Sequence, residues 1–371
     1  MSGSRTFLRK LIVILNMLAS AGLLLSYGAG YISPDRFWIL AFFGLSYPIW
    51  LIINIFFVFF WLFLWKKMIF LSLICILAGW NSLMTIYPYR FASQKPIVGI
   101  PIKTVSFNVH SLYGNQRGEH VPGTKSKVTE FLAGQKADII CIQEFFAYGE
   151  DYSQTLVKFS QSIALPYYYF KNYQEFYNKQ KINAIATFTR YPVVNTGHFK
   201  LQDHSLYGIF TDVIVNHDTI RVYNVHFESI RFGDDDYSFY SHLTDPDKEK
   251  TPIKVGSKRM MWKLRKAFIL RSTEVNNLVK HIESCRYPVI LAGDFNDTPS
   301  SYSYHQITSL LEDSFKEAGA GLFGSTYAGK FPSFRIDYIL HSGKFRARDY
   351  QKFDIDLSDH YPVASTLVFH P

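Results

Sequence analysis

The run Val289-Ile290-Leu291-Ala292-Gly293-Asp294-Phe295-Asn296-Asp297 puts a carboxylate, an amide and a second carboxylate directly behind a short apolar segment. Four apolar residues after Pro288 read as a buried strand. A strand that releases Asp294, Asn296 and Asp297 into a Pro-Ser turn sets polar groups at the rim of a sheet, where α/β proteins bind ligands. Asp, Asn, Gly and Pro also make ordinary turns, so this stretch gains weight only from company. Similar groups close other apolar runs: Asn108 after Thr104-Val105-Ser106-Phe107, Glu144 after Ile139-Ile140-Cys141-Ile142-Gln143, and His226 after Val222-Tyr223-Asn224-Val225. Asp337 lies in Arg335-Ile336-Asp337-Tyr338-Ile339-Leu340, and Asp359 with His360 precedes the last apolar run.

Carboxylates, amides and imidazoles without a serine or cysteine nucleophile motif describe metal-assisted hydrolysis better than acyl transfer. A carboxylate closing a buried strand, as Glu144 does, costs desolvation energy that a metal ion or a salt bridge must offset. Oxygen-rich ligands favour Mg²⁺ or Mn²⁺ over Zn²⁺. The chain has no Gly-rich phosphate loop with its lysine, which argues against an ATP-driven machine. Its three cysteines lack zinc spacing and are odd in number, so they read as small buried apolar residues.

The elements that must position these groups follow in order. A strand over Ile102–Val109 precedes a helix over Lys125–Gln135 and a strand over Ala137–Glu144. Helical sequence at Asp151–Ser162 leads to strands at Tyr167–Phe170 and Ile182–Thr189. Gly208–Val215 and Thr219–Val225 form a hairpin around Asn216-His217-Asp218. Residues 229–256, with Asp234, Asp235 and Asp236, read as a solvated loop. Lys258–Ser284 is a long helix whose basic stripe suits solvent, phospholipid or a polyanion. Ser300–Leu311 is helical, and Val363–Phe369 is the last strand. The mixture predicts an α+β sandwich of two packed mixed or antiparallel sheets flanked by helices.

Residues 1–88 are a different material. Leu11–Tyr27, Phe37–Trp65 and Met68–Ile86 are uncharged apolar runs, each long enough for a hydrocarbon core of ~30 Å. They predict a three-helix transmembrane region at 1–88, a proline-bearing linker at 89–101 and a soluble domain at 102–371. Trp38, Trp50, Trp61, Trp65 and Trp80 suit interfacial or lipid-facing positions. Arg5, Arg9 and Lys10 fall on the same side as Lys66 and Lys67 after two crossings. The positive-inside rule makes that side cytoplasmic, so the soluble domain is expected outside the cytoplasm, on the periplasmic face in a bacterium. The net charge of +9 suits an acidic substrate or an anionic membrane.

From residue 102 onward the chain resembles the endonuclease/exonuclease/phosphatase superfamily. The matches run in family order: Ser-Phe-Asn-Val-His with Asn108, Cys-Ile-Gln-Glu with Glu144, Asn-Val-His with His226, Gly-Asp-Phe-Asn with Asp294 and Asn296, Arg-Ile-Asp-Tyr-Ile-Leu with Asp337, and Ser-Asp-His-Tyr-Pro with Asp359 and His360. The resemblance implies a four-layer α/β sandwich and a divalent-metal phosphodiesterase or phosphatase. It implies that Glu144 is the main metal ligand, with Asn108 beside it and Asp359 on the metal side or at a second metal. Asp294 would orient or deprotonate water, Asn296 and His226 would hold phosphate oxygens, and Asp337 would fix the imidazole of His360 on the phosphoryl group. The sequence departs from the pattern at Asn183-Ala184-Ile185, where members often carry glycine. It also lacks the tyrosine motif of abasic-site nucleases, which argues against DNA repair.

The leading expectation is a membrane-anchored, metal-dependent hydrolase acting on a phospholipid head group, a nucleic acid or a small phosphate ester, with the bilayer contacted through residues 11–86. The alternatives are an extracytoplasmic nuclease on DNA or RNA and a catalytically silent binding module. A transporter is disfavoured, because the apolar runs carry no ionisable residue at mid-membrane.

Overall fold

The computed structural model describes residues 2–64, 66–88, 98–112, 114, 121–148, 152–173, 181–201, 206–233, 235–239, 253–319, 324–329 and 333–371. Its strands form two six-stranded sheets. Across the first run β11 (Phe345–Lys352), β12 (Val363–Phe369), β1 (Ile100–Asn108), β2 (Ile139–Tyr148), β4 (Lys181–Thr189) and β3 (Tyr167–Asn172). Across the second run β5 (Val193–Lys200), β6 (Leu206–Val215), β7 (Asp218–His226), β8 (Val289–Asp294), β10 (Asp337–His341) and β9 (Glu312–Asp313). The β1–β2 and β7–β8 pairs are parallel and the other pairs antiparallel.

Strand periodicity sorts the apolar residues into layers. Ile102, Ile139, Cys141, Val222, Ile290, Ala292 and Ile339 meet between the sheets. The alternate residues Val105, Phe107, Ile140 and Ile142 face outward and pack with Val128 and Leu132 of helix Thr124–Gly134 and with Leu156 and Phe159 of helix Tyr152–Ser162. On the other sheet Val289, Leu291, Tyr338 and Leu340 pack with Val275 and Leu278 of helix Ile253–Glu283 and with Tyr304 and Ile307 of helix Tyr302–Thr308. The result is the expected helix–sheet–sheet–helix sandwich. Polar links cross its centre at Asn224, whose Oδ1 accepts from Gln143 Nε2 at 2.7 Å and whose Nδ2 donates to the Ala186 carbonyl at 2.8 Å.

The structure adds and corrects elements. β5 was not expected: most of its residues are exposed or half-buried, as befits an edge strand whose sequence hardly alternates. The long helix begins at Ile253 rather than Lys258. Asp236 is not solvated; it is 1% exposed and held by Arg259 and Lys263. Most of the expected linker, at 89–97, lies outside the described residues, as do 234 and 240–252 of the acid-rich loop.

In the N-terminal part, Thr6–Gly28 is one helix long and apolar enough to cross a membrane. The second and third apolar runs are each broken: Ile39–Leu45 and Tyr47–Phe63 meet at 63°, and Ile69–Ala78 and Trp80–Ile86 at 64°. Each pair is one span only if counted across its bend. Pro48 in the first turn of Tyr47–Phe63 cannot donate back across the first break. Gly79 sits at the second, where a Cβ would lie 2.0 Å from the Tyr27 ring. Buried polar groups join the helices: Asn16 Nδ2 donates to Ser72 Oγ at 2.7 Å, and Trp61 Nε1 to Asn16 Oδ1 at 2.8 Å. Trp61 therefore faces the helix cluster and not lipid.

Candidate active site

Strand register brings distant residues into one row. On neighbouring strands of the second sheet His226 pairs with Asp294, and Asp294 with Asp337. On the first sheet Asn108 ends β1 opposite Gln143, one residue before Glu144. Packing the sheets closes the gap, so that Asn108 Nδ2 donates to Asp294 Oδ2 at 3.0 Å and lies 3.4 Å from Glu144 Oε1. The loop carrying Asp359 and His360 is fastened to the same end, because Ser358 Oγ donates to the Asn108 carbonyl at 2.8 Å. All eight residues singled out in the sequence thus meet at one end of the sandwich: Asn108, Glu144, His226, Asp294, Asn296, Asp337, Asp359 and His360.

Local backbone geometry aims them. The β2–β4 register shifts between Ile142 and Phe145, and Glu144 within that bulge has φ +53°. A bulge re-aims a side chain. The left-handed region costs a residue such as Glu about 1–3 kcal/mol, a strain typical of functional sites. Asn296, at φ +51°, turns its backbone N–H onto Asp294 Oδ1 at 2.7 Å. Gly293 has φ +148°, and a Cβ there would lie 2.0 Å from the Val225 carbonyl oxygen. Only glycine lets β7 and β8 approach closely enough to set His226 beside Asp294.

The imidazoles are oriented by their partners. His360 Nδ1 lies 3.0 Å from Asp337 Oδ2, and its Nε2 lies 3.7 Å from Asp294 Oδ2. Burial by itself would lower the His360 pKa; Asp337 and Asp294 outweigh it and hold the group well above its ordinary value. Burial pushes the Asp294 carboxyl up to about 6, Asp337 adds to this, and His360 and His226 oppose it. Tyr173 Oη accepts from the Glu144 backbone N–H at 3.2 Å, which leaves its hydrogen to donate to His226 Nδ1 at 3.0 Å. His226 Nε2, buried and with no hydrogen-bond partner among the described residues, then carries its proton toward Glu144 at 3.6 Å and Asp294 at 3.7 Å. A cavity of about 260 Å³ opens on Glu144, His226, Glu228 and Glu274. Asn183, at the point of departure from the family pattern, also lines it.

Several residues of this site were given no role from the sequence. His110, next but one to Asn108, pairs with Asp359 at 2.6 Å. That bond, against burial, raises His110; the same bond and the His360 charge bring Asp359 below its ordinary value although burial pushes it up. Tyr173 leaves no pattern, since its partners are 29 and 53 residues away. Arg271, read from the sequence with Lys258, Arg259, Lys263, Arg265 and Lys266 as part of a basic stripe facing solvent, phospholipid or a polyanion, is instead buried at 1% exposed. It donates to the Asn296 carbonyl at 2.6 Å and the Glu228 carbonyl at 3.2 Å, and its Nε lies 3.4 Å from Asp297. The signal was its place on the apolar face of the helix, with Ala267, Phe268 and Val275. Arg259 and Lys263 are likewise bound to Asp236.

The donor set fits a hard cation. Among the described residues, the ion-pair partners of Glu144, Asp294, Asp337 and Asp359 are imidazoles, not lysines or arginines. Asp294, Asp337 and His360 offer ligand atoms within 4.8 Å of one another, but their hydrogen bonds already orient an imidazole. Glu144, partly exposed and lining the cavity, is a carboxylate that could hold a metal.

Comparison with known proteins agrees with this architecture. A family profile described as the Endonuclease/Exonuclease/phosphatase family matches residues 105–360, and a domain of unknown function matches residues 9–86. The chain belongs to the endonuclease/exonuclease/phosphatase family, whose members are generally hydrolases of phosphoester bonds and typically use a divalent metal. Among solved structures the fold is similar to an endonuclease/exonuclease/phosphatase from Beutenbergia cavernae at 15% identity and TM-score 0.51, covering 73% of this chain and 72% of that one. It is similar to another from Bacteroides vulgatus at 16% and 0.51, covering 73% and 100%. It is also similar to the human nocturnin catalytic domain with bound sulfate anion at 16% and 0.50, covering 73% and 96%. No curated protein matches by sequence.

Proposed function

We propose that residues 102–371 are a divalent-metal-dependent phosphodiesterase or phosphatase, anchored in a bilayer by residues 1–88 through the linker 89–101. The observation that carries this reading is the meeting of Glu144, Asn108, His226, Asp294 and the Asp337–His360 pair at one end of the two sheets. Glu144 and Asn108, with Asp359 on the same side, would hold Mg²⁺ or Mn²⁺, which when bound supplies charge neutralisation on the phosphate oxygens. Asp294, held by Asn108 and the Asn296 N–H, takes a proton as water attacks phosphorus. The P–O ester bond opposite breaks, and the leaving oxygen takes a proton from solvent. His226 Nε2, Asn296 and the imidazolium of His360 donate to the phosphate oxygens, and Asp337 keeps that imidazolium in place.

The helix ends support an extracytoplasmic domain. The Tyr31 ring packs at a tilt on the His305 ring, centroids 4.2 Å apart, and Arg335 donates to the Thr85 carbonyl at 3.1 Å. Arg9, Lys10, Lys66 and Lys67 lie toward the opposite ends of the same helices. A site so tethered favours substrates at the bilayer surface, phospholipid before nucleic acid or a small phosphate ester.

The test is hydrolysis by the full chain in nanodiscs with Mg²⁺, Mn²⁺ or EDTA, on phospholipids, DNA, RNA and bis-p-nitrophenyl phosphate. Metal-dependent turnover that falls about 10²–10⁴-fold in Asp294→Ala is expected. Turnover of nucleic acid alone would favour the nuclease reading, and a folded chain silent on every substrate would favour the binding module.

A further inference from the structure

A second and larger cavity, of about 760 Å³, lies between the segment Glu228–Arg231 and the first half of helix Ile253–Glu283. Its size suits a small-molecule site. It adjoins the candidate active site, because Glu228, Ser229 and Arg231 line both cavities. Its walls are unlike those of the catalytic cavity: Ile230, Val255, Trp262 and Ala267 supply apolar surface, and Lys258 and Lys266 supply charge. Trp262 is 61% exposed and Val255 58%. With Ile230 and Ala267 in the same wall they form a contiguous apolar surface, which marks an interaction site.

The position of this groove narrows what covers it. Three residues beyond Trp262, the Arg265 guanidinium sits 5.3 Å from the Trp38 ring, and Phe268 meets Phe42 edge-on at 5.3 Å. Three residues of helix rise only about 4.5 Å, so the groove opens beside the N-terminal apolar helices. Its charge suits an anionic head group attached to an apolar body. Arg259 and Lys263 are held by Asp236, so the helix is less a continuous cationic track for a polynucleotide than an apolar slot between exposed lysines.

We infer that this groove receives the apolar body of a phospholipid drawn from the same bilayer, while its phosphate reaches the site at Glu144 and His226. This rests on the hydrolase reading above. It assigns Trp262 and Val255 as the wall against the lipid, and Lys258 and Lys266 as contacts to the head group.

Two measurements on the full chain in nanodiscs test it. In discs with brominated acyl chains, the fluorescence that Trp262→Phe removes should be quenched, and a Trp262 signal indifferent to bromolipid would overturn the inference. In parallel, Trp262→Ser and Val255→Ser should lower phospholipid turnover about tenfold more than turnover of bis-p-nitrophenyl phosphate, the loss expected from an apolar contact. Equal losses on both substrates would mark the residues as structural and overturn it. Turnover of the soluble ester or of single-stranded DNA, with none of lipid, would overturn the groove and leave the hydrolase. Quenching retained with no turnover of any substrate would remove the hydrolase and leave a lipid-binding groove.

Discussion

Asp337 and His360 show what a single residue contributes here. Asp337 Oδ2 can only accept, so it fixes the proton on His360 Nδ1 and stabilises the charged ring. Asp337→Asn would keep the shape and lose both effects. Turnover should fall about 10²–10⁴-fold with little change in melting temperature, as steady-state kinetics and calorimetry together will report. Glu274 is the residue with a pH signature. Burial pushes its carboxyl up to about 7, the Glu228 charge adds to this, and the Glu228 N–H, at 2.9 Å, opposes it. The folded state therefore holds this proton more tightly than the unfolded state does. Its contribution to stability is complete below the unfolded value of 4.5 and is lost as pH rises through about 7. Glu274→Gln should stabilise the chain by up to about 3 kcal/mol at pH 8 and scarcely at pH 4, measured by denaturant titration.

At the scale of elements, the site depends on how closely two parallel strands and two sheets approach. Gly293 sets the first distance. Gly293→Ala would drive a Cβ against the Val225 carbonyl and should cost about 3 kcal/mol through strain and strand separation. Activity should fall with it, because His226 and Asp294 are register partners; a variant as stable and as active as the parent would refute this account. The Ile142–Phe145 bulge in β2 works in the other direction, spending local backbone energy to turn Glu144 toward the cavity. Helix Ile253–Glu283 serves both ends of the domain. Arg271 braces the Asn296 and Glu228 loops from beneath, and the first turns border the apolar groove.

At the scale of the molecule, the apolar helices and the sandwich touch through Tyr31, Trp38, Phe42 and Thr85. With the proposed anchor, these contacts would hold the site near the bilayer and not let it swing on a free tether. The proposed topology has a direct consequence. Protease added to spheroplasts should cut the domain, and a cysteine placed at Lys67 should react with an impermeant thiol reagent only after the spheroplasts are lysed. The reverse pattern would invert the orientation.

The sequence by itself determined much of the catalytic end. Apolar runs that stop at Asn108, Glu144, His226 and Asp294 are local patterns, and a strand end is where a polar group can meet a cleft. The period of each strand likewise dictated which residues fill the inter-sheet layer, as at Ile290 and Ala292 against Val289 and Leu291. Only the tertiary structure decided the pairings. Asn108 and Asp294 are 186 residues apart, and Tyr173 reaches His226 across 53. Nothing in a linear pattern says that Asp236 pairs with Arg259 and Lys263, or that Arg271 lies against Asp297, since helix periodicity fixes a face but not what packs on it. The breaks at Tyr47 and Trp80 were hidden for the same reason: hydropathy counts apolar residues, whereas a bend depends on Pro48 and on the ring of Tyr27 lying against Gly79.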